Sequence, residues 1–168
     1  MSNAFYYISI LNKLLKSSYN TYLYTRHIIW YIFIDQFILD INFLEGDSML
    51  PTFNSFGNIS IIDKTINLKK VFNSKNKCTN SFKKGDIVSL KNPISPKHTL
   101  CKRIVAIEHE RLLLPNGNYI DIPANHIWVE GDNKENSFDS RNFGPVSCHL
   151  LQGKLKAVIW PINNIRLL

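Results

Sequence analysis

Acidic residues are missing from the first fifth of this chain. The first is Asp35, whereas Lys13, Lys16, Arg26 and His27 precede it among apolar and hydroxyl residues. A basic, apolar start without acids is typical of an organelle-targeting segment, although arginine is scarce here. An amphipathic helix that packs on the rest of the protein is the alternative, and the sequence leaves both interpretations open.

Cysteine is also scarce, and its pattern argues against two classes of protein. Cys78, Cys101 and Cys148 are an odd number, at spacings unlike those of metal sites. A disulfide framework and a zinc centre are therefore not expected, and we predict no metal site. The net charge of +7 is compatible with a nucleic-acid partner, an anionic membrane surface or simply a basic organelle protein. No motif interleaves the lysines with aromatic residues, so we predict no nucleic-acid partner.

An apolar run, Ile28 to Leu44, follows the basic start. A helix over this run would span roughly 25 Å, which is short of a ~30 Å hydrocarbon core. Asp35, Gln36 and Asp40 interrupt the run, and on a helical wheel its polar residues form a stripe typical of an interfacial helix. We predict that residues 1–44 form a targeting segment with a membrane-associated helix, a candidate anchor whose spanning stays open.

From about Gly46 the chain predicts a mainly β domain over residues 45–168. Short β-branched or apolar runs such as "NISIID", "DIVSL", "TLCKRIVAIE" and "HIWVE" alternate with Gly, Pro and Asn. The stretch "PNGN", Pro115 to Asn118, predicts a hairpin turn because Asn-Gly tolerates positive φ. The polar, basic stretch between the first two runs predicts an exposed loop.

The stretch "EGDSMLPTF" places Ser48 just after the apolar run. A serine hydroxyl is a poor nucleophile unless a neighbouring group accepts its proton, and none of the five histidines lies in a recognisable triad pattern. In "TLCKRIVAIE", strand alternation puts Lys102 on one face with Leu100 and Ile104. Burial there would lower the pKa of the amine, and a neutral amine can act as a general base. A lysine that reaches water at a sheet edge is the alternative.

Four stretches together resemble one protease family. They are "GDSMLPTF", "GDIVSLKNP", "CKRIVAIE" and "HIWVEGDNKENSFDSRNFGPV", in this order. Over about Gly46 to Pro161 the chain resembles the signal peptidase I family of serine proteases. The phrases "HIWVEGDN" and "SFDSRNFGPV" are most similar to its mitochondrial inner membrane protease branch, and "CKR" with "GDN" is closer to the first catalytic subunit than to the second. The resemblance implies an antiparallel β-sheet or barrel catalytic domain.

The resemblance also implies roles for individual residues. Ser48 matches the nucleophile and Lys102 the general base. Ser137 matches the serine whose hydroxyl helps to orient the lysine amine. Asp139 and Arg141 match a charged pair that holds the last motif, "HIWVEGDNKENSFDSRNFGPV", against the catalytic strands.

Two further groups carry over from the family pattern. A tight turn that opens the last motif is matched by Gly131, Asp132 and Asn133. The loop that bears the serine and borders the substrate is matched by Gly46, Asp47, Met49 and Pro51. Bacterial members often have a hydroxyl residue where this chain has Gly46, so the oxyanion would depend on backbone N–H groups, chiefly that of Ser48.

The implied activity is a membrane-associated serine endopeptidase that needs no cofactor and removes presequences from precursor proteins. Its implied place is the mitochondrial inner membrane, facing the intermembrane space, with a second homologous peptidase subunit as partner. A catalytically silent subunit that binds substrate or stabilises a partner is the alternative. A self-cleaving repressor-type peptidase would carry a DNA-binding or arm segment instead of the apolar run before Ser48.

Overall fold

The computed structural model describes residues 17, 21–34, 38–65 and 81–168. Residues 21–34 are helical. They belong to one compact unit, Met1–Gln36, and a second unit comprises Phe37–Leu168. None of the helices within these described ranges combines the length and the hydropathy that a membrane crossing requires. Several parts of the predicted segments lie outside the described residues: 1–16, 18–20 and 35–37 of the expected targeting and membrane-associated segment, and 66–80 of the basic loop.

The helix predicted from Ile28 to Leu44 is wrong at its C-terminal end. Leu39–Leu44 is strand β1, which pairs antiparallel with β2, Asn58–Asp63. Asp40 and Asn42 alternate with apolar residues at a period of two, and the burial of β1 alternates in the same way. This is the period of a strand with two different faces, so Asp40 and Asn42 of the predicted polar stripe belong to a sheet and not to a helix.

The second unit is mainly β, as predicted. Its other strands are β3 (Ile87–Lys91), β4 (Thr99–Ala106), β5 (Arg111–Leu113), β6 (Tyr119–Asp121), β7 (His126–Glu130), β8 (Val146–Ser147), β9 (Leu151–Trp160) and β10 (Arg166–Leu167). In the described residues, eight strands form a curled antiparallel sheet in the order β1-β2-β9-β3-β4-β7-β8, with β10 also paired to β9. Strands β5 and β6 form a separate hairpin. The predicted turn joins them, with Gly117 at φ +82°.

The sheet curls because its register shifts at several points along β9. One shift lies between Ile61 and Ile62 in the pairing of β2 with β9, and another between Ser89 and Leu90 in the pairing of β3 with β9. Such bulges increase the local twist and bend the strand that carries them. The curl brings the start of the unit close to strand β4, which carries Lys102.

Two apolar clusters pack on opposite faces of β3. Val88 and Leu90 belong to one cluster, together with Ile104 of β4. Ile87 belongs to the other, which also contains Met49 and surrounds the loop after β1. At roughly 25 cal/mol per Å² of buried apolar surface, these clusters are the main stabilising term of the unit. They fix β3 and β4 as the rigid base of the candidate site.

Candidate active site

Ser48 lies in a short, anchored loop directly after β1. Asp47–Met49 forms one 3-10 turn, and Gly46 before it has φ +106°, a conformation that residues with a Cβ rarely adopt. The loop closes on itself, because the Gly46 N–H donates to the Ser55 carbonyl at 2.8 Å. Met49 and Phe53 are buried at 3% and 2% exposure and tie the loop to the core. Ser48 is thus held directly next to the buried anchor Met49.

Lys102 lies on β4 with its amine against the Ser48 hydroxyl. The Lys102 Nζ and Ser48 Oγ atoms are 2.7 Å apart. Lys102 is only 3% exposed, and Ile104 and Ala106 are buried on the same face of the strand, as the alternation predicts. Burial lowers the pKa of the Lys102 amine below its ordinary value, and the nearby Asp139 carboxylate opposes this shift only in part. The alternative of a lysine that reaches water is therefore excluded.

The Gly131–Asn133 turn holds the serine loop from the other side. The Asn133 N–H donates to the Ser48 carbonyl at 3.1 Å, and Asn133 Nδ2 donates to the Asp47 carbonyl at 3.1 Å. Gly131 is necessary for this approach, since a Cβ there would lie 2.4 Å from the Ser48 carbonyl oxygen. The turn therefore fixes the main chain of Ser48 by direct contact.

Arg103, the residue after Lys102, points to the opposite face and ties three parts of the site together. Its guanidinium donates to both carboxylate oxygens of Asp132, at 2.8 and 2.7 Å, and to the Gly85 carbonyl at 2.8 Å. The Thr52 hydroxyl donates to the same Asp132 carboxylate. Burial raises the pKa of Asp132, but the hydrogen bonds from Arg103 and Thr52 outweigh it, and the net pKa is lowered. The ionised Asp132 thus links the serine loop to β4.

Asp139 is the most enclosed charge of the site, at 0% exposure. Arg141 donates to both of its oxygens at 2.9 Å, and the Gly131 N–H donates at 2.9 Å. Burial raises the pKa of Asp139, but these bonds and that from Ser137 outweigh it and lower the pKa to about 2. The predicted charged pair of Asp139 and Arg141 is present, and it lies at the start of the short helix Ser140–Phe143.

Ser137 lies beside this pair. Its hydroxyl donates to Asp139 Oδ2 at 2.6 Å, so in this structure its proton is directed to the carboxylate and not to the Lys102 amine. The hydroxyl oxygen is close to the turn that contacts Ser48, since a Cβ on Gly131 would lie 2.2 Å from it. Orientation of the amine by Ser137 therefore stays a prediction.

A cleft of about 280 Å³ opens beside Ser48 and Lys102. Gly46, Met49 and Cys101 line it near the serine, together with the apolar side chains of Leu44, Phe53 and Ile62. Burial raises the pKa of the Cys101 thiol to about 12, so the thiol stays protonated at neutral pH and behaves as part of an apolar wall. Pro51 lies outside the cleft at the exposed tip of the loop, after a cis peptide bond.

The structure thus brings together most of the residues that the sequence singled out. Thr52 and Arg103 were not predicted as part of the site, although "LPT" and "CKR" were quoted for the resemblance. Alternation on β4 puts Arg103 on the face opposite Lys102. An acidic partner for Arg103 could therefore have been inferred, but the sequence does not identify that partner as Asp132. In the described part of the chain no group of three His, Cys, Asp or Glu residues is placed to hold a metal ion.

Sequence comparison agrees with this geometry. The chain matches the family described as signal peptidase, peptidase S26, over residues 18–118 and 108–160. It is 31% identical over 136 residues to "Mitochondrial inner membrane protease subunit 2" of Schizosaccharomyces pombe, which covers 79% of this chain and 71% of that protein. The chain belongs to the signal peptidase family, peptidase S26.

Relatives with both subunit names match to similar degrees. Subunit 2 of Mus musculus is 38% identical over 70% of this chain and 65% of its own length. Subunit 1 of Schizosaccharomyces pombe is 32% identical over 76% of this chain and 78% of its own length. Membership of the signal peptidase family is therefore confirmed, and the closer similarity to the first subunit stays a prediction.

Proposed function

We propose that this chain is a serine endopeptidase that removes presequences from precursor proteins at the mitochondrial inner membrane. The observation that carries the proposal is the 2.7 Å contact between Ser48 Oγ and a buried Lys102 amine beside an open cleft. The names of the relatives, mitochondrial inner membrane protease subunits 1 and 2, support a protease, the mitochondrial inner membrane and a second subunit as partner. A catalytic domain that faces the intermembrane space is part of the same proposal.

The proposed reaction is amide hydrolysis through an acyl-enzyme. Neutral Lys102 accepts the Ser48 proton while Ser48 Oγ bonds to the scissile carbonyl carbon, and the carbonyl oxygen becomes an oxyanion. Lys102 then passes the proton to the leaving amine as the C–N bond breaks. Lys102 next deprotonates a water molecule, whose oxygen bonds to the acyl carbon. As the ester bond to Ser48 Oγ breaks, Lys102 returns that proton to Ser48. The lowered pKa of Lys102 favours the neutral form that the first step requires.

The oxyanion would be stabilised by backbone N–H groups, chiefly that of Ser48. Gly46 supplies no hydroxyl at the position where bacterial family members often have one. The main chain of Ser48 is nevertheless fixed, because its carbonyl accepts from the Asn133 N–H. A donor that is already oriented stabilises the developing charge without reorganisation. Asn133 thus acts as a positioning residue in this proposal.

The test compares precursor processing in isolated membranes that contain wild type, Ser48→Ala or Lys102→Met. We expect processing to fall by at least about 10²-fold in both variants, because each removes a group that acts in the chemical step. Ser95→Ala and Lys97→Met change the same residue types outside the cleft and serve as controls. If Ser48→Ala or Lys102→Met processed precursors at the wild-type rate, the Ser/Lys mechanism would be refuted, and the silent-subunit alternative would hold.

A further inference from the structure

The last strand of the sheet carries an arginine that reaches the loop bearing Ser48. Arg166 of β10 donates from Nη2 to the Thr52 carbonyl, across 114 positions of the chain. Its Nη1 donates to Asn164 Oδ1 at 2.6 Å, which fixes the guanidinium from a second side. The match to the signal peptidase family ends at residue 160, so Arg166 lies beyond the residues that define the family. The contact is therefore a feature of this chain that the family pattern does not describe.

The register of β10 supports this orientation independently. Arg166 pairs with Val158 of β9 in the antiparallel ladder. Side chains that are directly opposite each other project to the same face of a sheet. Val158 is fully buried in the apolar cluster that also contains Met49 and Phe53. The Arg166 side chain is thus directed to the face on which the loop bearing Ser48 packs.

The Thr52 carbonyl belongs to a peptide unit that is held at both of its ends. The N–H of the same unit, that of Phe53, donates to the Met49 carbonyl at 3.0 Å. Because a peptide unit is planar and rigid, a donor that fixes its carbonyl also fixes the direction of its N–H. Met49 directly follows Ser48 in the chain. Arg166 is thus linked through one rigid group to the residue after the nucleophile.

The Thr52 side chain provides a second route to Ser48. Its hydroxyl donates to the Asp132 carboxylate. Asp132 directly precedes Asn133, whose N–H donates to the Ser48 carbonyl at 3.1 Å. The residue that Arg166 holds by its main chain is therefore also tied by its side chain to the turn that holds Ser48.

We infer that Arg166 is a positioning residue for the Ser48 nucleophile, an inference that rests on the function proposed above. It holds the base of the loop while Asn133 holds the Ser48 carbonyl, and together they keep Ser48 Oγ within reach of Lys102. Arg166 itself lies outside the cleft. Its loss should therefore slow the chemical step and leave the binding of substrate unchanged.

The experiment measures peptide cleavage by wild type, Arg166→Met and Arg166→Lys, each as the full chain in detergent. A displacement of a reacting group by 1 Å can cost about 10²-fold in rate, and Asn133 still holds Ser48 in these variants, so we expect kcat to fall by about 10-fold in Arg166→Met. KM should change by less than about 2-fold, because the lost interaction acts on the chemical step alone. Arg166→Lys keeps a cation that can donate to a carbonyl, and it should recover part of the lost kcat.

Two further variants serve as controls. Lys156→Met removes a cation from the neighbouring strand, where Lys156 is exposed and pairs with Asp63, so kcat should stay at the wild-type value. Asn164→Ala removes only the acceptor that orients the Arg166 guanidinium. It should lower kcat by a smaller factor than Arg166→Met, and it is the folded comparison if Arg166→Met is unstable.

Hydrogen exchange of residues 49–55 adds a measurement that does not depend on activity. Exchange in this segment should be faster in Arg166→Met than in wild type, and unchanged in Lys156→Met. A wild-type kcat in Arg166→Met, a rise in KM without a fall in kcat, or wild-type exchange in the segment overturns the role of Arg166. Failure of wild type to cleave the peptide would instead overturn the endopeptidase proposal, and the exchange rates would still decide whether Arg166 anchors the loop.

Discussion

Gly131→Ala perturbs a close approach between the Gly131–Asn133 turn and the loop that bears Ser48. An added Cβ would lie 2.4 Å from the Ser48 carbonyl oxygen and 2.2 Å from Ser137 Oγ. Cβ atoms in proteins essentially never approach other atoms within 3.0 Å. The Ser48 main chain would therefore have to move by at least about 0.6 Å, or the turn would have to open by the same amount.

Two effects of this movement can be estimated separately. Overpacking at a buried contact lowers the free energy of unfolding by about 1–3 kcal/mol. A displacement approaching 1 Å of a reacting group can reduce the rate by about 10²-fold. The Asn133 N–H bond to the Ser48 carbonyl would lengthen with the same movement. We therefore expect kcat to fall by about 10- to 100-fold in the protein that remains folded.

The assay pairs urea denaturation with the kcat of peptide cleavage. Gly117→Ala is the matched control, because Gly117 has φ +82° in the β5–β6 turn and no atom near its Cβ position. Its substitution introduces backbone strain of about 1–2 kcal/mol but should leave kcat unchanged. The reasoning would be refuted if Gly131→Ala kept the wild-type kcat, or if both variants lost kcat in proportion to their lost stability.

Two further predictions concern the buried charges. Asp139→Asn should lower the free energy of unfolding at pH 7 by about 3 kcal/mol, because it leaves Arg141 without its carboxylate, and urea denaturation will measure this. The folded pKa of Asp139, about 2, is below the unfolded value of about 3.9, so wild type should lose about 2.6 kcal/mol as the pH falls from about 5 to about 1. The Asn variant should lack this loss, and an equal acid sensitivity would contradict the assignment. In thermal unfolding at pH 7, Lys102→Met should be more stable than wild type, because burial lowers the pKa of Lys102 in the folded state. Below the unfolded pKa of about 10.4, the unfolded wild-type chain therefore binds more protons than the folded chain. Wild-type stability should rise with pH between the folded and the unfolded pKa of Lys102. A Met variant that is less stable than wild type at pH 7 would contradict the account.

The strands of the second unit could be predicted because their apolar runs are short and separated by turn residues. "NISIID" coincides with β2, and "HIWVE" with β7. Lys102 could also be placed, because alternation depends only on the local period of the strand. These are local properties, and a sequence displays them directly.

Strand β1 could not be predicted from the same signals. Six residues, Leu39–Leu44, follow a helical segment without Gly or Pro between them, so the apolar run reads as continuous. Residues 39–44 form a strand because they pair with β2, which is a long-range interaction. Tertiary pairing of this kind overrides local propensity.

The partners within the site were equally inaccessible to sequence reasoning. Asp132 bonds Arg103 across 29 positions, and Asn133 bonds Asp47 across 86. Such contacts depend on how the sheet curls, and no spacing in the sequence encodes them. The family pattern indicated which residues mattered, whereas their hydrogen bonds came from the fold.

The central claim is that a neutral Lys102 activates Ser48, and the pH dependence of kcat/KM tests it most directly. Protonated Lys102 cannot accept the serine proton, so activity should rise with pH and level off as the amine becomes neutral. Because burial lowers the pKa of Lys102, the plateau should be reached clearly below the ~10.4 of a free lysine. Activity that continued to rise up to that pH would contradict the claim.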